Sequence, residues 1–139
     1  MAEQAHLVFR WGVYSFALDI RNVAKIHDLA GGSEVQGWGE ELNLARYFGV
    51  EPTSRGPFRV DVRVGEQSWC FRADQVEDIQ GFGLALSLAF PPLLRTEENR
   101  AIQGFFFDGL RIIHRLDPAA MMASPRFGAA LVPDGDRQA

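Results

Sequence analysis

Cys70 is the one thiol of the chain, and His6, His27 and His114 are its only imidazoles. A cysteine activated by a histidine is a nucleophile, so this is the set from which covalent chemistry would be built. The strand pattern around it puts Cys70 on the face opposite Trp69 and Phe71. A cysteine outside a disulfide is usually a small, buried, inert residue, and that is the expectation here. The acidic pairs Glu40-Glu41, Glu97-Glu98 and Asp134/Asp136 fall in loops or helix starts. Carboxylates that do acid–base work need burial to shift their pKa values, and these read as solvated positions. There is no Cys-x-x-Cys or His-x-x-x-His, so no metal site is expected. No turn glycine is followed by Lys-Ser or Lys-Thr, which removes the phosphate-loop chemistries. No cofactor is expected.

The elements that hold these residues belong to a chain of 139 residues, a single-domain length, with 47% apolar content to supply a core. A net charge of −4 argues against a nucleic-acid backbone as partner. No run of about 18 apolar residues exists to cross a bilayer. Met1-Ala2-Glu3-Gln4 has neither the basic patch nor the apolar core of an export signal, and a lone cysteine suits a reducing compartment. These features give a cytoplasmic expectation.

The chain repeats itself at an offset of 53 residues. Leu7–Ile26 aligns without a gap on Val60–Ile79, matching Arg10 with Arg63, Gly12 with Gly65, Ser15 with Ser68, Val23 with Val76 and Ile26 with Ile79. Each copy reads as strand, glycine turn, strand and a further short strand. In the second copy Val60, Val62 and Val64 share one face, and Arg59, Asp61 and Arg63 the other. Between the copies, Glu40–Phe48 has helical spacing ended by Gly49, and residues 52–57 form a linker rich in turn residues. Pro91-Pro92 prevents Leu84–Leu94 from being one helix. Ile102–Phe107 and Leu110–Leu116 flank Asp108-Gly109, a hairpin signal, and Asp117 with Pro118 starts a short helix.

Phe105-Phe106-Phe107 cannot all share one strand face, so both faces must be covered or one aromatic must be exposed. Trp38, between Gly37 and Gly39 in a loop, is a candidate contact residue.

In order and spacing these segments resemble the CheW-like domain, the coupling adaptor of bacterial chemosensory arrays. The resemblance covers residues 6–122. It rests on Leu7-Val8-Phe9-Arg10-Trp11-Gly12, then Phe16, Leu18, Ile20, Val23 and Ile26 in the family frame, then Ala73–Ile79, and finally Gly104–Asp117 with its Asp-Gly-x-Arg turn. It implies a mainly β fold of two SH3-like five-stranded barrel lobes sharing a core, with short helices. The first lobe would span about 6–52 and the second about 57–116, with exchange between lobes near the C-terminus. Residues 1–5 and 132–139 would be flexible tails. The resemblance further implies a non-catalytic adaptor. Its partners would be a chemoreceptor cytoplasmic tip, the regulatory domain of a CheA-type histidine kinase, or both, with ring or array assembly.

Carried over position by position, a groove between the lobes would be lined by Val23, Lys25, Phe58 and Ile79. With Trp38 these are the candidate protein-binding residues. Two departures stand out. The family's Asn-Leu-Arg-Gly segment, associated with receptor contact, is missing from the shortened stretch Glu34–Ala45, and Lys25 stands where the family carries an acid. They leave open a scaffold for a different protein partner, with receptor coupling lost. An enzyme using Cys70 is the remaining alternative.

Overall fold

The computed structural model describes residues 4–31, 39–50, 56–82, 87–89, 99–107 and 109–133. The first copy of the repeat forms β1 (Gln4–Trp11), β2 (Tyr14–Asp19), a one-turn 3-10 helix and β3 (Val23–Asp28). Next come β4 (Glu40–Leu42) and α1 (Leu44–Phe48). The second copy forms β5 (Phe58–Val64), β6 (Gln67–Ala73) and β7 (Gln75–Phe82). β8 (Ser87–Ala89), β9 (Ile102–Phe107), β10 (Ile112–Leu116), α2 (Pro118–Ala123) and α3 (Pro125–Ala129) complete the described elements. The fold is mainly β, as expected, with a few short helices.

The two copies have the same internal register. In the first hairpin Leu7 faces Leu18 and Phe9 faces Phe16. In the second, Val60 faces Phe71 and Val62 faces Trp69, each pair lying 53 positions on. Gly12 and Gly65 open the two turns with φ of 61° and 60°. No other residue type in the described chain has positive φ, so only the first central residue of each turn needs it. That is the demand of a type II′ hairpin turn, which glycine meets at no steric cost.

Each copy gives its third strand to the other copy's hairpin. β7 pairs antiparallel with β1, setting Leu7 against Ile79 and Phe9 against Val76. β3 pairs antiparallel with β5, setting Val60 against Ile26 and Val62 against Val23. Even the bulges correspond: the register shifts beside Phe9 in one ladder and beside Val23 in the other, stepping over Glu77 and Ala24, which are repeat counterparts. The larger sheet is ordered β7-β1-β2-β10-β9-β8 and the smaller β3-β5-β6-β4. The expected lobe boundary near residues 52–57 therefore divides the sequence but not the sheets.

The correspondence continues beyond the aligned stretch. β10 runs parallel to β2, with His114 beside Phe16, and β4 runs parallel to β6, with Glu40 beside Trp69. Asn43 after β4 caps α1 by accepting from the Arg46 N–H; Asp117 after β10 caps α2 by accepting from the Ala120 N–H. The Asn43 N–H donates to the Ala130 carbonyl at 2.8 Å, and the Asp117 N–H to the Ala101 carbonyl at 2.7 Å. Ile102 pairs with Leu116 beyond that contact, and Leu131 bridges to Leu42.

Among the described residues the larger sheet holds six strands and the smaller four. β8 adds an outer strand to the larger sheet, while in the smaller one the place beside β4 is taken by the single Leu42–Leu131 bridge. The ends are also tied down further than the sequence indicates. β1 begins at Gln4, and Val132 is buried with its N–H donated to the Glu41 carbonyl at 2.8 Å. In addition, Glu40–Leu42, read as the start of a helix, is strand, because Asn43 delays the helix to Leu44.

One core joins the two sheets. Leu7, Phe9, Phe16 and Leu18 come from the larger sheet, and Val60, Val62, Trp69 and Phe71 from the smaller. The Phe9 and Phe71 rings, equally buried, lie 4.8 Å apart across the junction. Full burial of each such side chain contributes roughly 2–3 kcal/mol. A second, smaller cluster of Val8, Ala17, Phe106 and Ile113 lies on the opposite face of the larger sheet. This resolves the triple phenylalanine: Phe106 is buried and Phe107 is exposed.

Candidate functional site

The candidate contact residues fall on both sheets. Val23, Lys25 and Phe58 belong to the β3–β5 ladder, where Lys25 is opposite Asp61 and Phe58 opposite Asp28. Val23 and Phe58 are half-buried and pack on the shared core, so they support the surface more than they form it. Lys25 is exposed. Ile79 lies on β7, at the edge of the other sheet, and is 53% exposed although its cross-strand partner Leu7 is buried. Its repeat counterpart Ile26, on edge strand β3, is 37% exposed. The repeat itself signals Ile26 in sequence, because it is one of the five identities. Trp38 lies outside the described residues.

The polar face of the smaller sheet is not a solvated face. Asp61 is 1% exposed, and its two oxygens accept from His27 Nε2 at 2.7 Å and Arg59 Nε at 3.0 Å. Alternation from the buried Val60 and Val62 places Asp61 on the outer side of the strand, where the His27 and Arg59 side chains donate to its carboxylate. Cys70 is the cross-strand partner of Asp61 on one side and of Glu41 on the other. It is 3% exposed, which leaves no path for a substrate to reach the sulfur without movement of the sheet. The imidazoles are dispersed over three strands. His6 meets Phe106 edge-on, His27 binds Asp61, and the His114 Nδ1–H donates to the Ser15 carbonyl at 2.9 Å. Because a carbonyl only accepts, Nδ1 carries the proton of that hydrogen bond. Among the described residues no group of three or more histidines, cysteines and carboxylates is arranged to hold a metal ion.

A feature that sequence reading missed is an aromatic pocket on the larger sheet. Trp11, Tyr14 and Phe16 of the first hairpin, Phe48 at the end of α1, Ile102 and His114 wall it, with Val50 completing the lining. Its volume is about 160 Å³, and it is partly open to solvent. Phe16 stacks on Phe48 at 5.7 Å and meets His114 at 5.4 Å, which fixes two walls. Tyr14 at the rim is 39% exposed. The lining comes from four separated stretches of chain, and no local motif joins them.

No family model and no curated protein matches the chain. A solved structure does. The scaffolding protein TtCheW from Thermoanaerobacter tengcongensis superposes with a TM-score of 0.66 at 15% identity, over 83% of this chain and 89% of that one. At that identity the likeness shows the fold: this chain has the fold of TtCheW. The expected CheW-like architecture is thus found, and the match spans nearly all of TtCheW rather than one lobe. No helix of the described chain is long and apolar enough to cross a membrane.

Proposed function

We infer that this chain is a non-catalytic adaptor of a bacterial chemosensory system, working in the cytoplasm by holding other proteins together. The observation that carries this reading is the TtCheW-like fold with its reciprocal strand exchange, which leaves an edge strand on each sheet bearing an exposed isoleucine, Ile26 or Ile79. Edge strands with apolar side chains beside a charged residue suit a helical or extended partner segment better than a small substrate. The buried sulfur of Cys70 supports a role without covalent chemistry. The partners are a chemoreceptor cytoplasmic tip, a CheA-type kinase regulatory domain, or both. Lys25, Ile79 and Trp38 are the contact residues, with Val23 and Phe58 backing that surface from the core side. Weak single contacts gain strength in a ring or array through high effective concentration.

The test is calorimetric binding of the purified chain to each of the two partner fragments. Micromolar binding to at least one is expected, weakened at least tenfold by Lys25→Glu combined with Ile79→Ser. Binding to neither fragment at micromolar concentrations defeats the reading.

A second reading is favoured by Lys25, an exposed cation where the resembled family carries an acid. In it the chain is a scaffold for a different partner, one with an acidic contact surface. Loss of cellular co-purification with both chemosensory partners, but retention of another protein that Lys25→Glu releases, distinguishes it.

A further inference from the structure

We propose that the aromatic pocket of the larger sheet is a receptor for one phenyl-sized aromatic side chain presented by a partner polypeptide. The argument comes from the molecule's own internal repetition and does not rest on the chemosensory reading. Three of the pocket residues have counterparts around the smaller sheet. Phe16 corresponds to Trp69, its neighbour His114 to Glu40, and Ile102 to Leu131, as the matched ladders establish. In the smaller sheet the site beside Trp69 is occupied from within. Phe127 of α3 stands edge-on to Trp69 with ring centres 5.3 Å apart and packs into the shared core. α3 leads into Leu131, with the Leu131 N–H donated to the Gly128 carbonyl, just as the Ile102 N–H is donated to the Asn99 carbonyl. By that alignment the residue in the sequence place of Phe127 is Glu98, which lies outside the described residues.

The larger sheet thus carries a cavity at the place where the smaller one holds a phenylalanine. Its volume of about 160 Å³ matches an apolar cavity of roughly 150 Å³ that takes benzene. The walls supply aromatic faces and edges, which favour an aromatic guest over an aliphatic one of equal size. Tyr14 in the lining is 39% exposed, and Val13, next to it in the chain, is 92% exposed, so apolar surface continues outward from the pocket wall. Phe127 shows the form of the ligand: an aromatic side chain on a single helical turn.

The experiment is an NMR titration of the full chain with N-acetyl-phenylalaninamide, using N-acetyl-alaninamide as control. Saturable shifts are expected at Trp11, Ile102 and His114 with the phenyl probe only. Val50→Phe fills the cavity from its own wall and is expected to weaken these shifts at least tenfold. Phe127→Ala, or the gentler Phe127→Leu if the alanine variant does not fold, is expected to open a second site reported by the Trp69 indole. No saturable shift at the pocket residues overturns the proposal, and so do shifts that persist unchanged in Val50→Phe. Toluene binding more than tenfold tighter than the capped amino acid overturns the choice of a polypeptide guest, because the mouth would then be rejecting a backbone.

Discussion

Arg111 and Glu77 join strands that are not neighbours. Arg111 precedes β10 and Glu77 is the bulge residue of β7, with β1 and β2 between them in the sheet. The guanidinium donates to both Glu77 oxygens, at 2.6 and 2.7 Å, and to Ser15 Oγ on β2 at 3.1 Å. One side chain therefore fastens the C-terminal hairpin to the strand that the second copy lends to the first. Both partners are partly exposed, so the planar two-pronged geometry is needed to make the pair worth more than an ordinary surface bridge. A double-mutant cycle of Arg111→Ala and Glu77→Ala in urea unfolding is expected to give a coupling of about 1 kcal/mol, reduced by salt.

The Asp61 cluster should be far more sensitive. Asp61→Asn keeps the shape but removes the charge that His27 and Arg59 share. Breaking a buried ion pair from one side costs about 3–5 kcal/mol. A fall in melting temperature of about 10 °C or more is the expected calorimetric result. A near-neutral effect would mean that the carboxylate is better solvated than its burial indicates.

Asp19 gives a pH dependence of known sign. The Arg21 guanidinium, hydrogen-bonded to it at 2.7 and 3.1 Å, holds the Asp19 carboxyl below its ordinary value. A carboxyl depressed by folding adds stability above its unfolded pKa, and this is lost as pH falls through the folded value. Arg21 is largely exposed, so solvent screening keeps the gain small. Asp19→Asn should therefore be slightly less stable than the parent at neutral pH. The difference attributable to charge should vanish well below the ordinary carboxylate range.

Strand exchange predicts how the chain responds to cutting. Each copy keeps a hairpin but lacks the third strand that flanks it, since β3 and β7 are reciprocally placed. Separately expressed fragments ending at Val50 and starting at Gly56 should each fail to unfold cooperatively. Co-expressed, they should purify as a one-to-one complex with a single melting transition. A fragment that folds cooperatively alone would contradict the dependence of each hairpin on the other's strand.

Sequence reading reached the strands, the turns and the fold class because those are local. Gly12 and Gly65 mark their turns by residue type, and Asp117 with Pro118 marks its helix by capping chemistry. The exchange of β3 and β7 was out of reach. The identities Val23/Val76 and Ile26/Ile79 establish that the two strands are alike, and that likeness is why sequence cannot say which hairpin each joins. Asp61 was read correctly as lying opposite Val60 and Val62, but alternation assigns a face without saying what covers it. Of the candidate contact residues, Lys25 and Ile79 are exposed, whereas Val23 and Phe58 are half-buried and pack on the core. The aromatic pocket depends on Phe48, Ile102 and His114 meeting Phe16 from distant parts of the chain, which is a property of topology alone.

The interlacing of the two copies also has a mechanical side. With β3 and β7 each paired into the opposite copy's hairpin, the chain crosses between the sheets at residues 20–22 and again at Asp74, and the two sheets share one core, so parting them means exposing that core to water. A load that turns one sheet away from the other is therefore resisted by the core between them. A body of this kind acts as a gauge block, setting the separation and angle of whatever is fastened to its two faces.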